Sequence, residues 1–198
     1  MRQVHYGIKG IRVLAIAESF QKHDRKSILA GIVMRRDFIV DGFIYSDTVL
    51  GGNDATYKII SMIESLHRND VHYVLLGGPI ISLFNIIDGE WIYEKTGLPV
   101  IAISFRRTSG IINSIHGPAN EKKIENYLRL EERKQVTLRT GKDVFVRSWG
   151  IDFDEVPDLL NSFLIQGAKP EPLRLATLAA RACRNYVTSI TTNEIQKF

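Results

Sequence analysis

Five side chains carry the chemistry that this sequence could do. Glu18 closes an apolar run, and Asp54 stands just before a helical pattern. Carboxylates that a fold brings together hold a divalent ion. Such an ion lowers the pKa of an attacking water and clamps the leaving oxygen in phosphodiester hydrolysis. Arg106 and Arg107 end a second apolar run, and Arg174 lies in the last helical segment. Guanidinium groups in such places stabilise phosphate charge. Each residue also has a plainer reading. Glu18 is equally a strand-end carboxylate in solvent, Asp54 a helix N-cap, and Arg174, with Arg181 and Arg184, part of a solvated helix face. Asp88 and Asp47 are weaker acidic candidates: Asp88 reads as a helix-surface residue able to pair with Asn85, and Asp47 lies just past a strand. The five histidines form no pair at metal-ligand spacing, and Cys183, the single cysteine, falls on the side of its helix expected to be core.

The elements that must position these groups are legible as patterns. Ile11–Ser19, Val71–Leu76 and Val100–Phe105 are continuous apolar runs, as in strands covered on both faces. Ile28–Arg35 and Phe38–Ser46 are joined by so short a connection, Arg36-Asp37, that they form an antiparallel hairpin. Asp41 and Gly42 interrupt its second strand as a bulge would. Ala55–His67 is an amphipathic helix with Ile59, Ile60, Ile63 and Leu66 on one face. The stretch from Pro79 to Gly97 reads as the crossover helix of a βαβ unit. Thr108–Pro118 is irregular, Glu121–Leu130 is a polar amphipathic helix, and Val136–Leu138 with Asp143–Trp149 suggests a second hairpin. Asp152–Gln166 is a helix with Pro157 in its first turn. Pro172 opens the last helix, which runs to about Thr188, with Leu175, Leu178, Ala179 and Ala182 as its apolar side. Gly77-Gly78-Pro79 is not a phosphate-binding loop, since Pro79 removes an amide donor and no GxxxxGK[ST] pattern follows. It reads instead as a close approach of backbone to backbone, or of a substrate strand.

Composition bounds the class. At 198 residues, 44% apolar and 24% charged, the chain is an ordinary globular protein expected to form one domain over residues 1–198. The absence of a long apolar stretch or a leader pattern predicts a cytoplasmic protein without a membrane partner. A lone cysteine gives no internal disulfide and no thiolate metal cage. A net charge of +4 is compatible with nucleic acid without requiring it. The order of elements is that of an α/β, ribonuclease-H-like fold, a five-stranded mixed sheet flanked by helices. The early hairpin without a crossover helix argues against a plain doubly wound sheet.

Five blocks taken together resemble the archaeal endonuclease dU family, a relative of endonuclease V. They are Arg12-Val13-Leu14-Ala15-Ile16, Asn53-Asp54-Ala55-Thr56, Phe84-Asn85-Ile86-Ile87-Asp88, Thr96-Gly97-Leu98-Pro99-Val100-Ile101, and Pro170-Glu171-Pro172-Leu173-Arg174-Leu175-Ala176. They stand in the family's order and span nearly the whole chain. The resemblance implies a ribonuclease-H-like fold and metal-dependent cleavage of nucleic acid near a deaminated base, with Glu18 and Asp54 as the candidate catalytic ligands of Mg²⁺; Arg106, Arg107 and Arg174 are candidates against DNA or RNA from their places at the strand edge and on the last helix.

The chain departs from the family at the positions that matter most. Where the first strand is expected to read Gly-Ile-Asp-Asp, it reads Ala15-Ile16-Ala17-Glu18. Gly51-Gly52 replaces an expected Asp-Gly and Thr177 an expected His, whereas Gly77, standing where endonuclease V keeps a strand-end Asp, is usual in the endonuclease dU family. Alternation puts Val13, Ala15 and Ala17 on one face of the strand and Leu14, Ile16 and Glu18 on the other, so Glu18 does not take over from an acid at 17 unless the strand bends or ends. The expected function is a nucleic-acid-binding homologue with impaired or lost metal-dependent nuclease chemistry. The alternatives are an active Mg²⁺-dependent endonuclease and a non-catalytic scaffold.

Overall fold

A computed structural model describes residues 10–106, 121–130 and 132–195. The chain runs β1 (Arg12–Ser19), β2 (Lys26–Arg35), β3 (Val40–Val49), α1 (Ala55–Ser65), β4 (Tyr73–Leu76), β5 (Ile80–Ile81), β6 (Asn85–Ile86), α2 (Gly89–Thr96), β7 (Val100–Ser104), α3 (Glu121–Leu128), β8 (Lys134–Thr137), β9 (Asp143–Trp149), a 3₁₀ turn (Phe153–Glu155), α4 (Val156–Ser162) and α5 (Glu171–Ile195). The main sheet has the order β3-β2-β1-β4-β7-β9-β8. β1, β4 and β7 are parallel, and the flanking strands are antiparallel. The five expected strands stand at its centre and one edge. The second hairpin, β8–β9, joins the other edge and widens the sheet to seven strands.

Alternation along the central strands divides the core in two. Val13 and Ala15 of β1, Leu75 of β4 and Ile101 and Ile103 of β7 pack with Leu159, Phe163, Leu173 and Ala176 of the C-terminal segment. Leu14 and Ile16, Val74 and Leu76, and Val100 and Ala102 pack with Ile59 and Met62 of α1 and Ile92 of α2. Strands covered on both faces must be apolar at every position, which is why these runs are continuous. The β2–β3 register skips between Val33↔Gly42 and Met34↔Val40, so Asp41 is the extra residue of a bulge. Its carboxylate pairs with Arg12 at 2.8 Å and Arg68 at 3.1 Å.

Two expectations change. The crossover between β4 and β7 is not one helix from Pro79. It is the small β5–β6 hairpin, in which Ile80 pairs with Ile86, followed by α2. The helix starts only where Asp88 accepts a hydrogen bond from the Trp91 amide at 2.9 Å. Asp88 is thus a helix cap, and Asn85 belongs to the hairpin. The second change concerns α5. Its buried stripe is Leu173, Ala176 and Ala180, packed across β1 and β2. Leu178 is 46% exposed, and Cys183 is half-buried rather than core. The helix is alanine-rich on several sides, and its buried stripe combines one leucine, Leu173, with the small residues Ala176 and Ala180. No breaker follows Thr188, and the helix continues to Ile195. The irregular stretch expected at Thr108–Pro118 lies outside the described residues.

Candidate functional site

The carboxyl ends of β1, β4 and β7 meet at one cavity of about 180 Å³, lined among others by Ala17, Gly77, Phe105, Lys169 and Thr177. Ligands of open α/β sheets bind at this edge, beyond the ends of parallel strands. β1 brings Ala17 there on the face that packs against the C-terminal helices. The Gly77 amide donates to the Ile16 carbonyl at 3.1 Å, extending the parallel ladder one residue past β4. Gly78, at φ +125°, then turns the chain into the β5–β6 hairpin. A Cβ on Gly77 would meet nothing closer than the Ile16 carbonyl at 3.7 Å and the Ala17 Cβ at 3.9 Å. Packing therefore does not demand a glycine at 77, and side chains at 17 and 77 would be neighbours. With Thr177 entering from α5, the fold gathers Ala17, Gly77 and Thr177 into one cavity.

Glu18 lines the same cavity, and its carboxylate is hydrogen-bonded to the β5–β6 hairpin and to β2. It accepts from the Ser82 amide at 2.8 and 3.0 Å, from the Ser82 hydroxyl at 2.5 Å and from the Ser27 hydroxyl at 3.0 Å. Both serines are fully buried. Glu18 thus ties the end of β1 to β2 and to the hairpin.

Asp54 precedes α1, but its side chain makes no capping bond to that helix. It reaches back instead, accepting from the Thr48 hydroxyl at 2.6 Å, the Asn85 side-chain amide at 2.9 Å and the Val49 amide at 3.2 Å. Burial pushes its carboxyl up, yet these hydrogen bonds together outweigh burial and leave it below the ordinary aspartate value. The cap it forgoes comes from Asn85, whose side-chain oxygen accepts from the Ala55 amide at 3.1 Å. Gly52 makes this possible: a Cβ there would stand 2.9 Å from the Asp54 carboxylate.

Glu18 and Asp54 therefore grip the same hairpin through different residues, Ser82 and Asn85. A divalent ion needs carboxylate oxygens free to enter a shell of about six ligands. The oxygens of these two acids are already engaged by N–H and O–H donors. Among the described residues no three His, Cys, Asp or Glu side chains are grouped to hold a metal ion. Among the described residues this edge therefore offers Mg²⁺ no free carboxylate pair.

The basic residues separate. Arg106 is exposed just past β7, at the cavity's edge of the sheet. Arg107 lies outside the described residues. Arg174 is engaged by Glu171 in the first turn of α5, at 2.8 and 2.5 Å, and that hydrogen-bonded pairing holds the Glu171 carboxyl below its ordinary value. Among the described residues, the cation that lines the cavity is one the sequence did not single out. Lys169 is half-buried, its Nζ 5.1 Å from the centre of the Phe105 ring and 3.4 Å from the Thr177 hydroxyl oxygen. The Thr177 hydroxyl gives its own proton to the Leu173 carbonyl at 2.8 Å. Burial pushes the Lys169 ammonium down from its ordinary pKa, and Arg181 adds to this by repulsion. The usable signal was positional: Lys169-Pro170 leads directly into the helix that covers the strand ends.

Comparison with known proteins agrees with this architecture. The profile of the family described as endonuclease dU matches residues 9–184. A UPF0215 protein of Pyrobaculum calidifontis is 34% identical over 178 residues, covering 88% of this chain and 98% of that one. The crystal structure of an Archaeoglobus fulgidus protein of unknown function superposes with a TM-score of 0.74 at 27% identity, covering 87% of this chain and 98% of that one. Endonuclease V of Ciona intestinalis, in complex with a DNA containing an inosine followed by a ribo-adenosine, superposes with a TM-score of 0.61 at 10% identity, covering 89% and 87%. That last likeness shows a shared fold, the ribonuclease-H-like fold of endonuclease V. The chain belongs to the endonuclease dU family.

Proposed function

We propose that this protein is a nucleic-acid-binding member of the endonuclease dU family whose metal-dependent strand cleavage is impaired or lost. The observation that carries this reading is the lining of the strand-end cavity: Ala17, Gly77 and Thr177 face it, with the lysine ammonium of Lys169 and, among the described residues, no free carboxylate pair. Phosphodiester hydrolysis by a metal ion needs a carboxylate cluster that both binds the ion and stays available to it. Glu18 and Asp54 act here as hydrogen-bond acceptors that hold the β5–β6 hairpin against the sheet. Binding is supported by the exposed Arg106 and the half-buried Lys169 at the sheet edge, by a net charge of +4, and by the DNA held on the same fold in the Ciona protein. No helix among the described residues is long and apolar enough to cross a membrane, in keeping with a cytoplasmic nucleic-acid partner, DNA or RNA.

Fluorescence anisotropy with labelled single-stranded DNA and RNA containing uracil or hypoxanthine tests the reading. The expected result is binding that weakens steeply with salt, as phosphate contacts release counterions, and that persists in EDTA without Mg²⁺. No binding at low salt, or binding that requires the metal, overturns it.

A further inference from the structure

We propose that Lys169 is the phosphate anchor of the strand-end cavity: its ammonium takes a non-bridging phosphate oxygen directly, without a metal ion between them. The proposal rests on the nucleic-acid-binding reading for the identity of the ligand, but the site itself is argued from the residues around Lys169.

An ammonium carries three donors. Among the described residues the protein offers this one a long hydrogen bond to Thr177 Oγ1, at 3.4 Å, and the face of Phe105. It forms no ion pair among them. The carboxylate that lines the same cavity, Glu18, spends its oxygens on Ser27 and Ser82. A half-buried lysine without a carboxylate is costly to keep charged, and an anion entering the cavity removes that cost. Arg181 lies close enough to repel Lys169, and a bound anion is attracted to both. The apolar walls, with Ile16, Phe105 and Leu173 among them, strengthen the attraction by excluding water. The lack of side chains at Gly77 and of anything larger than a methyl at Ala17 leaves the approach open. Phosphate chemistry can come from a nucleic-acid backbone or from free phosphate, and the experiment separates the two.

In EDTA, anisotropy with labelled single-stranded DNA and RNA is compared for the unmodified protein, Lys169→Met and Lys169→Arg. Methionine keeps an apolar stem against Phe105 and loses the charge. Lys169→Met is expected to bind roughly tenfold more weakly, with the slope of log K against log salt reduced by about 0.7, the share of one single-strand phosphate. Lys169→Arg keeps the slope. A side chain that served only packing would leave the slope unchanged in all three. In parallel, inorganic phosphate is titrated while the Nζ resonance of Lys169 is followed by NMR, and that resonance is expected to shift. Oligonucleotide binding that is equal in Lys169→Met overturns the proposal and leaves the nucleic-acid reading intact. A phosphate-dependent shift without any oligonucleotide binding upholds the site, makes free phosphate its ligand and overturns that reading. No response to either probe overturns both.

Discussion

Replacing Gly89 by alanine lowers the melting temperature by roughly 4–12 °C. Gly89 opens α2 directly after the Asp88 cap and is buried. A Cβ built on it would stand only 2.2 to 2.5 Å from Cε3, Cζ3 and Cδ2 of the Trp149 indole. Trp149 cannot easily yield. It is 7% exposed and ends β9, where it pairs with Val100. Either the indole leaves its place in the core or the first turn of α2 moves off the sheet. Overpacking of this kind costs about 3 kcal/mol. The gain in helix propensity from glycine to alanine is at most about 1 kcal/mol and smaller in a first turn, so the clash wins by about 2–3 kcal/mol. A chain of this size loses roughly 2–4 °C per kcal/mol. Thermal melts of Gly89→Ala in the natural and Trp149→Leu backgrounds check the mechanism. The alanine should cost little once the indole is gone, and an equal cost in both backgrounds would show that the ring is not the obstacle.

The second large effect separates two roles for one residue. Glu18→Ala is expected to destabilise the protein by about 3 kcal/mol in EDTA. It strips the acceptor from two fully buried serines, Ser27 and Ser82, and from the Ser82 amide. Each buried donor left unsatisfied costs about 1–3 kcal/mol. The Ser27 hydroxyl also lies 3.4 Å from the Ser19 carbonyl, which recovers part of its loss. Glu18→Gln retains one acceptor oxygen for Ser82 and should cost less than half as much. A carboxylate kept only as a metal ligand behaves in the opposite way: without metal, its removal is neutral or stabilising. Urea unfolding at neutral pH distinguishes the two. Glu18→Ala as stable as the unmodified protein would contradict the role assigned here.

The parts of the fold that alternation governs were readable in the sequence. The apolar runs of β1, β4 and β7 and the opposed faces of Ala17 and Glu18 follow from a period of two in strands covered on both sides. What escaped was long-range or too short to have a period. β5 and β6 are two residues each, and the turn between them places Ser82, Leu83 and Phe84 at φ +48°, +56° and +68°, a conformation that non-glycine residues do not advertise. The partner that occupies Glu18 is 64 residues away, and the cap of α1 comes from Asn85 across 30 residues, not from the adjacent Asp54. Lys169 enters the cavity because of how α5 crosses β1 and β2. The face that α5 buries includes small residues, Ala176 and Ala180, whose weak hydrophobic signal hid it.

These placements bear on Ala17 and Thr177, where an acid and a His are expected from the resemblance, and on Gly77, where endonuclease V is expected to carry an acid. Separately, each is one position. Together they line one cavity, where a neighbouring pair of side chains at 17 and 77 would stand if they were present. The acids that remain serve the hairpin instead.

The most direct measurement is single-turnover cleavage, with protein in excess, of labelled DNA and RNA containing uracil or hypoxanthine in Mg²⁺ and in Mn²⁺. The unmodified protein is expected to leave every substrate intact while binding it, and Ala17→Asp, which returns a carboxylate to the cavity, is the variant to run beside it. Cleavage by the unmodified protein that disappears in Glu18→Ala or Asp54→Ala would contradict the account, because it would make those two carboxylates the ligands of a working metal centre.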